Sequence, residues 1–321
     1  NDAAFTGLII PNVFGPFGVP FYNSVISTFS HQVVNNLEPR IGVDACLKLI
    51  YVGDLVDRMI SLTTEYTENT EEHRKQTKVV DNASTEGIEN TEDHRKHIKV
   101  NDNASTEGNE STDPNSQFSI LNSQLERSDS QLSILNSQLN KPERLIHVEH
   151  MAEYKVTELL EKLKGFRDTY QVKGIFPDLN DRFELCLFNT FRSYIPKEHF
   201  PVKYKKNADP RGVYVEAMKF CSGGQAAFST TVPGITRGNH FHIRKVERFA
   251  VIQGKASIKL RKYGSDEVIE YILDGSEPGY VDMPIWYTHN ITNIGDGELL
   301  TMFWINEFYN PSDPDTYFEE V

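Results

Sequence analysis

The apolar positions along this chain change their period partway through. Near the start, Phe5 to Ile10 is a short apolar run that reads as a strand, and a turn-rich loop from Pro11 to Pro20 follows it. Ser24 then stands where a helix N-cap belongs, and Val25, Ile26, Phe29, Val33 and Val34 recur on one helical face. Tyr51 and Val52 lead to Asp54, a second cap candidate, with Leu55, Val56, Met59 and Ile60 at helical spacing behind it. Tyr154 to Phe166 and Asp181 to Tyr194 read as two more helices, the latter with Phe183, Leu187, Phe191 and Tyr194 in one stripe that belongs in a core. From about Phe200 the period drops to two. Ala256, Ile258 and Leu260 alternate with Ser257, Lys259 and Arg261, and Tyr214 to Phe220, Val268 to Leu273 and Leu299 to Ile305 are further strand candidates. Gly223-Gly224, Gly254, Asp274-Gly275 and Gly295-Asp296-Gly297 punctuate them. Many short strands between regular turns predict a sandwich or barrel.

Between these halves lies a tract with neither period. Residues 69–89 (NTEEHRKQTKVVDNASTEGIE) recur as 90–110 (NTEDHRKHIKVNDNASTEGNE), and 116–129 (SQFSILNSQLERSD) recur as 130–143 (SQLSILNSQLNKPE). Two copies of a unit fall short of what a solenoid needs. Residues 63–142 carry a net charge of −7, more than half of the −13 of the whole chain. Low apolar content with net charge predicts a disordered insertion there. His73, His94 and His97 repeat because the segment is duplicated, and a solvated tract accounts for them.

Composition narrows the function classes. A 38% hydrophobic share over 321 residues supports a sizeable core. An acidic chain is a poor general binder of nucleic acid or anionic membranes. No apolar run reaches the length of a membrane span, and no secretion signal opens the sequence. Three cysteines without a CxxC pair predict reduced, buried thiols, and a cytoplasmic location is expected.

The chemistry concentrates in Gly234-Ile-Thr-Arg237-Gly-Asn-His240-Phe-His242-Ile-Arg-Lys-Val-Glu247, which runs on to Gly254. Two histidines at i and i+2 on a strand point the same way, about 7 Å apart, which suits two ligands of one ion. Glu247 is an odd step away, so a turn over 243–246 has to return it to the same side on the next strand. His289 follows Pro284 in another strand-like segment. Three imidazoles and a carboxylate suit Zn, Fe, Mn, Ni or Cu.

The spacing resembles the cupin first motif, G(x)5HxH(x)4E(x)6G, at every fixed position, and Pro284, His289 and Asn293 resemble the second, with Trp286 where that pattern has Gly. The resemblance covers roughly Val213 to Glu307 and implies a C-terminal cupin jelly roll over 200–321. Leu8-Ile-Ile-Pro11-Asn12-Val-Phe-Gly15-Pro16 and Phe21-Tyr22-Asn23-Ser24 resemble the part of an extended short-chain dehydrogenase that meets a nucleotide sugar. With Asn310-Pro-Ser-Asp-Pro-Asp-Thr-Tyr-Phe near the end, the chain resembles the bifunctional UDP-sugar reductase/epimerases of capsular polysaccharide and O-antigen synthesis. That resemblance implies an incomplete α/β dehydrogenase substrate region over 1–62 and 143–199, with Asn12 and Asn23 touching the sugar nucleotide. It implies C3 epimerisation of a UDP-4-keto-6-deoxy sugar in the cupin, on the way to UDP-2-acetamido-2,6-dideoxy-talose, and a zinc ion on His240, His242, Glu247 and His289. Tyr287 is a candidate proton donor, with core packing the alternative, and Arg237 a candidate for a phosphate or the ketone, with a rim charge the alternative. A homodimer is expected. The same ligands would also serve a cupin oxidase or dioxygenase, and a non-catalytic sugar-binding module is a third reading.

NADPH is the reductant in that family, yet no GxxGxxG loop occurs in these 321 residues and no YxxxK segment lies upstream of Leu8. The dinucleotide half is therefore expected to be missing, as in a fragment or a decayed gene product. Calorimetry with NADPH is expected to show no tight binding to the 321-residue chain, and tight binding would overturn this reading.

Overall fold

The computed structural model describes residues 6–64, 144–210 and 212–321, and the expected insertion over 63–142 lies almost wholly outside the described residues. The chain divides into two compact units. One comprises 1–7 and 53–145, and its described part is chiefly a helix, α2, over 52–64. Asp54 falls in the first turn of α2, not at its cap. The other unit, 8–52 with 146–321, holds the elements below apart from Thr6, Gly7, Arg144 and Leu145.

Its first layer is a small mixed sheet with helices. Strand β1 is Thr6–Ile9, β2 is Asn12–Phe14, β3 is Cys46–Tyr51, β4 is Arg144–His147 and β5 is Ala152–Lys155. β3 pairs parallel with β2 and antiparallel with β5. Helix α1, Val25–Val34, begins at Ser24, whose Oγ accepts from the Ser27 amide. It buries Ile26, Phe29, Val33 and Val34. Tyr154 lies in β5, so α3 is Val156–Phe166, shorter than expected. Glu158 accepts from the Lys155 amide at 2.8 Å and the Asp44 carboxylate accepts from the Thr157 amide at 2.9 Å, which together place its start. A π-helical turn, Arg167–Gln171, follows. Helix α4, Arg182–Arg192, is capped by Asp181 and buries Phe183, Leu187, Phe188 and Phe191. Of the three thiols only Cys186 is buried, while Cys46 and Cys221 are exposed, contrary to expectation.

The remainder is two five-stranded sheets that share a core. The short strands are β6, Val202–Lys203; β7, Asn207–Asp209; and β8, Gly212–Tyr214. The long ones are β9, Gln225–Thr231; β10, Thr236–Phe241; β11, Glu247–Gln253; β12, Lys255–Lys262; β13, Val268–Asp274; β14, Gly279–Met283; β15, Tyr287–Asn293; and β16, Leu299–Ile305, with β17, Tyr317–Phe318, at the end. One sheet runs β6-β14-β11-β16-β9 and the other β13-β12-β15-β10-β17. Phe249, Val251, Val281, Met283 and Leu299 of the first meet Ala256, Ile258, Leu260, Tyr271, Leu273 and Ile291 of the second. The strand expected over Tyr214 to Phe220 stops at Tyr214, and Phe220 instead bridges to Phe176.

The outer face of the first sheet is also covered, which explains why β11 starts with five consecutive buried residues. Trp304 stacks between Phe176 (4.5 Å) and Phe220 (5.3 Å). Arg248, 1% exposed, lies over the rings of Phe176 and Tyr280 and grips Asp282, 2% exposed, with two bonds of 2.6 and 2.8 Å. Tyr170, on the π turn, donates to the same carboxylate at 2.7 Å. Asp282→Asn is expected to cost about 3–5 kcal/mol in denaturant unfolding, because it leaves the guanidinium buried without its counter-charge. A loss below about 1 kcal/mol would show the pair to be dispensable.

Candidate metal centre

The four expected ligands come together. His240 sits on β10 directly opposite His289 on β15, so the antiparallel ladder itself sets two of them side by side. A bulge between Gly238 and His240 interrupts that ladder. Gly238 has φ +106°, and a Cβ there would lie 2.8 Å from the His289 carbonyl oxygen, so only glycine lets the two strands approach this closely. The chain then turns over 243–246, as the spacing predicted, and Glu247 opens β11 facing His242. Ring centroids are 4.6 Å apart for His240 and His289, 5.0 Å for His240 and His242, and 5.4 Å for His242 and His289. One ligand atom from each of the four residues lies within 4.8 Å of the other three.

Backbone carbonyls choose which ring nitrogen is free. His242 Nδ1 bonds the Asp315 carbonyl, His289 Nδ1 bonds the Tyr287 carbonyl at 3.1 Å, and the His240 ring bonds the Gly238 backbone. A carbonyl only accepts, so Nδ1 carries the proton in His242 and His289 and Nε2 presents a lone pair. Both Nε2 atoms lie 3.3 Å from Glu247 Oε2. His289 Nε2 is buried without a hydrogen-bond partner. A buried acceptor left over beside a carboxylate and two more imidazoles suits a ligand set, and these donors fit a divalent cation. His289, His242 and Glu247 are 0, 4 and 5% exposed, and His240 alone is half-buried.

Electrostatics follows from the burial. The His240 pKa is lowered to about 4 by burial, then by His289 and His242. Burial lowers that of His242 too, but the Glu247 carboxylate and the Asp315 carbonyl outweigh it and the net shift is upward. Burial pushes the Glu247 carboxyl up, yet the His242 and His289 imidazoles beside it hold it well below the usual carboxylate range.

Trp286 has φ +62°, the left-handed conformation that the motif's Gly would supply. Its amide donates to the His242 carbonyl at 2.8 Å, its own carbonyl accepts from the Tyr263 amide, and its ring stacks on Phe241. The turn is kept at the expense of backbone strain. Tyr287 lines a cavity of about 270 Å³ with Phe17, Lys197, Tyr271 and Asp282, and burial raises its pKa. None of the four ligands lines that cavity. Arg237 pairs with Ile291 and donates to Thr231 Oγ1 and the Thr230 carbonyl. Asn12 donates to the Lys48 carbonyl, and Asn23, at φ +52°, occupies the turn before the Ser24 cap. Sequence reasoning missed Asp315, which lies 73 residues beyond His242 in the chain and carries no metal-ligand spacing.

One divalent cation per chain is expected in calorimetric titration. His289→Ala should weaken it by more than the roughly 10–100-fold that loss of an outer hydrogen-bond partner costs. Proton and cation compete for His242, whose pKa is raised, so affinity should fall with acidification from above pH ~6.5. Affinity that stays flat from pH 8 to pH 5 would contradict this assignment.

Residues 207–317 match the family described as Polysaccharide biosynthesis C-terminal domain. UDP-2-acetamido-2,6-beta-L-arabino-hexul-4-ose reductase of Pseudomonas aeruginosa is 26% identical over 309 residues, covering 96% of this chain. The chain spans 63% of that protein's length. Spore coat polysaccharide biosynthesis protein SpsL of Bacillus subtilis is 24% identical over 123 residues, 35% of this chain and 82% of that one. Among solved structures, capsular polysaccharide assembling protein CapF from Staphylococcus aureus is 30% identical, with a TM-score of 0.38, over 97% of this chain and 70% of that one. No helix among the described residues is long and apolar enough to cross a membrane. By sequence the chain is similar to polysaccharide-biosynthesis proteins, and residues 207–317 match the C-terminal domain of that name.

Proposed function

We propose that the two-sheet domain is a cupin epimerase that inverts C3 of a UDP-linked 4-keto-6-deoxy aminosugar, for capsule or O-antigen synthesis, with zinc as its ion and a homodimer as its assembly. The observation that carries this reading is the convergence of His240, His242, Glu247 and His289, with ring nitrogens held by backbone carbonyls. The relative whose name is that of a hexul-4-ose reductase supports a keto sugar nucleotide as the substrate class.

A bound divalent cation supplies Lewis acidity toward the ketone oxygen next to the carbon that loses its proton. The residues of the chain do the rest. His240 is the half-buried member of the set, so a substrate approaches from its side. It stays neutral down to about pH 4 and does not add a competing charge. Inversion needs a base on one face of the sugar and an acid on the other. We assign the acid to Tyr287, whose raised pKa keeps its proton in place through neutral pH. Arg237, exposed and paired with the core residue Ile291, is assigned to the phosphate end. Asn12 and Asn23 are assigned to the sugar nucleotide. Reduction of the C4 ketone by NADPH is not assigned to these residues.

Incubation of the cation-loaded chain with a UDP-4-keto-6-deoxy sugar in heavy water is expected to put deuterium on C3, read by NMR. Tyr287→Phe should slow this by about 10²–10⁴-fold. Absence of exchange would overturn the epimerase reading, and oxygen uptake in its place would identify an oxidase.

A further inference from the structure

Residues near the C-terminus close over the turn that carries two of the four ligands. Asp315 is 1% exposed and adopts φ +40°, a left-handed conformation that a non-glycine residue holds only when its surroundings demand it. Its carboxylate accepts from three successive amides: Ile243 and Arg244 at 3.1 Å each and Lys245 at 2.8 Å. Successive amides that point into one concavity form an anion nest, and here the chain fills its own nest. The Asp315 carbonyl accepts from His242 Nδ1, so one residue fixes both the turn and the tautomer of a ligand. Its neighbours add to the grip. Asp313 pairs with Arg244 at 2.9 Å, the Pro314 carbonyl accepts from Lys245 Nζ, and β17 pairs with His240 and Phe241. The Glu319 amide donates to the Asn239 carbonyl at 3.1 Å, beside the bulge.

We propose that Asp315 is a positioning residue for the cation site: it sets the 243–246 turn and the His242 ring so that His242 Nε2 meets His240, His289 and the Glu247 carboxylate. The proposal rests on the reading of these four residues as cation ligands. The geometry argues for it in a simple way. His240 and His289 are fixed by the ladder between β10 and β15, and Glu247 by the pairing of β11 with Met283 and Ile305, whereas His242 lies beyond the end of β10, at the start of the turn. Without the Asp315 carboxylate, three amides lose their acceptor, and without its carbonyl the His242 ring is free to rotate.

The test uses Zn²⁺ competition against a chelator and the visible spectrum of the Co²⁺-loaded full chain. Asp315→Ala is expected to weaken Zn²⁺ by about 10–100-fold and to shift the Co²⁺ bands. Asp315→Asn keeps one acceptor oxygen and should fall between it and the wild type; it carries the test if the alanine variant does not fold. Glu277→Gln, which removes an exposed pair with Lys206 and touches neither the turn nor the nest, should leave the spectrum unchanged. Wild-type affinity and spectrum in both Asp315 variants, even with a lowered melting temperature, would reduce Asp315 to a structural residue and overturn the proposal. Absence of Zn²⁺ or Co²⁺ binding by the wild-type chain would instead overturn the ligand reading, and the positioning role with it.

Discussion

The register of β11 against β14 governs where the chemistry points, and a buried ion pair holds it. Arg248 and Asp282 are direct cross-strand partners, with Glu247 opposite Met283 one step away. Side chains alternate along a strand, so when Arg248 faces the helical layer, Glu247 faces the space between the sheets. A slip of one residue would exchange them and leave the site without its carboxylate. Burying two charges is costly in itself, and a hydrophobic pair of similar volume is often as stable. What the pair adds is specificity. The guanidinium also donates to the Gly174 carbonyl, and Asp282 accepts from Tyr170, so the same contact seats the π turn on the sheet.

Much of the candidate site was legible in the sequence because the residues that converge there obey short-range rules. The H-x-H pair, the four-residue gap and the carboxylate specify a strand, a turn and a strand without knowledge of anything else. The period-two run at Ala256, Ile258 and Leu260 placed β12 for the same reason, and the Ser24 cap and the Phe183, Leu187 and Phe191 stripe placed α1 and α4. What was not legible depends on partners far away in sequence. The bulge at Gly238 exists only because β15 lies alongside, and a single strand carries no sign of two residues opposing one. The regular strand assumed for His240 and His242 was therefore too simple, since His242 lies past the end of β10. Val215 to Lys219 looked like strand but forms no ladder, because Phe220 is drawn onto Trp304. Trp286 shows the opposite case: local sequence argued against a left-handed turn, and hydrogen bonds to His242 and from Tyr263 impose one.

The four candidate ligands thus differ in what places them. The His240 and His289 pair is built by a ladder, and its spacing follows from strand separation. Glu247 is placed by the register of β11 between β14 and β16, whereas His242 begins a turn whose backbone has many alternatives and needs an external acceptor to choose among them. Turn amides within a single protein layer find water easily, whereas these are buried under the chain's own C-terminal segment, where an unpaired donor is costly. That cost makes the Asp315 carboxylate and the ligand geometry one cooperative arrangement: the turn is ordered when the last strand has docked on β10, and β10 offers an edge to that strand because the bulge ends at His240. The last strand of the two-sheet domain therefore meets β10 at His240 itself, so the candidate ligand cluster is enclosed by segments far apart in sequence.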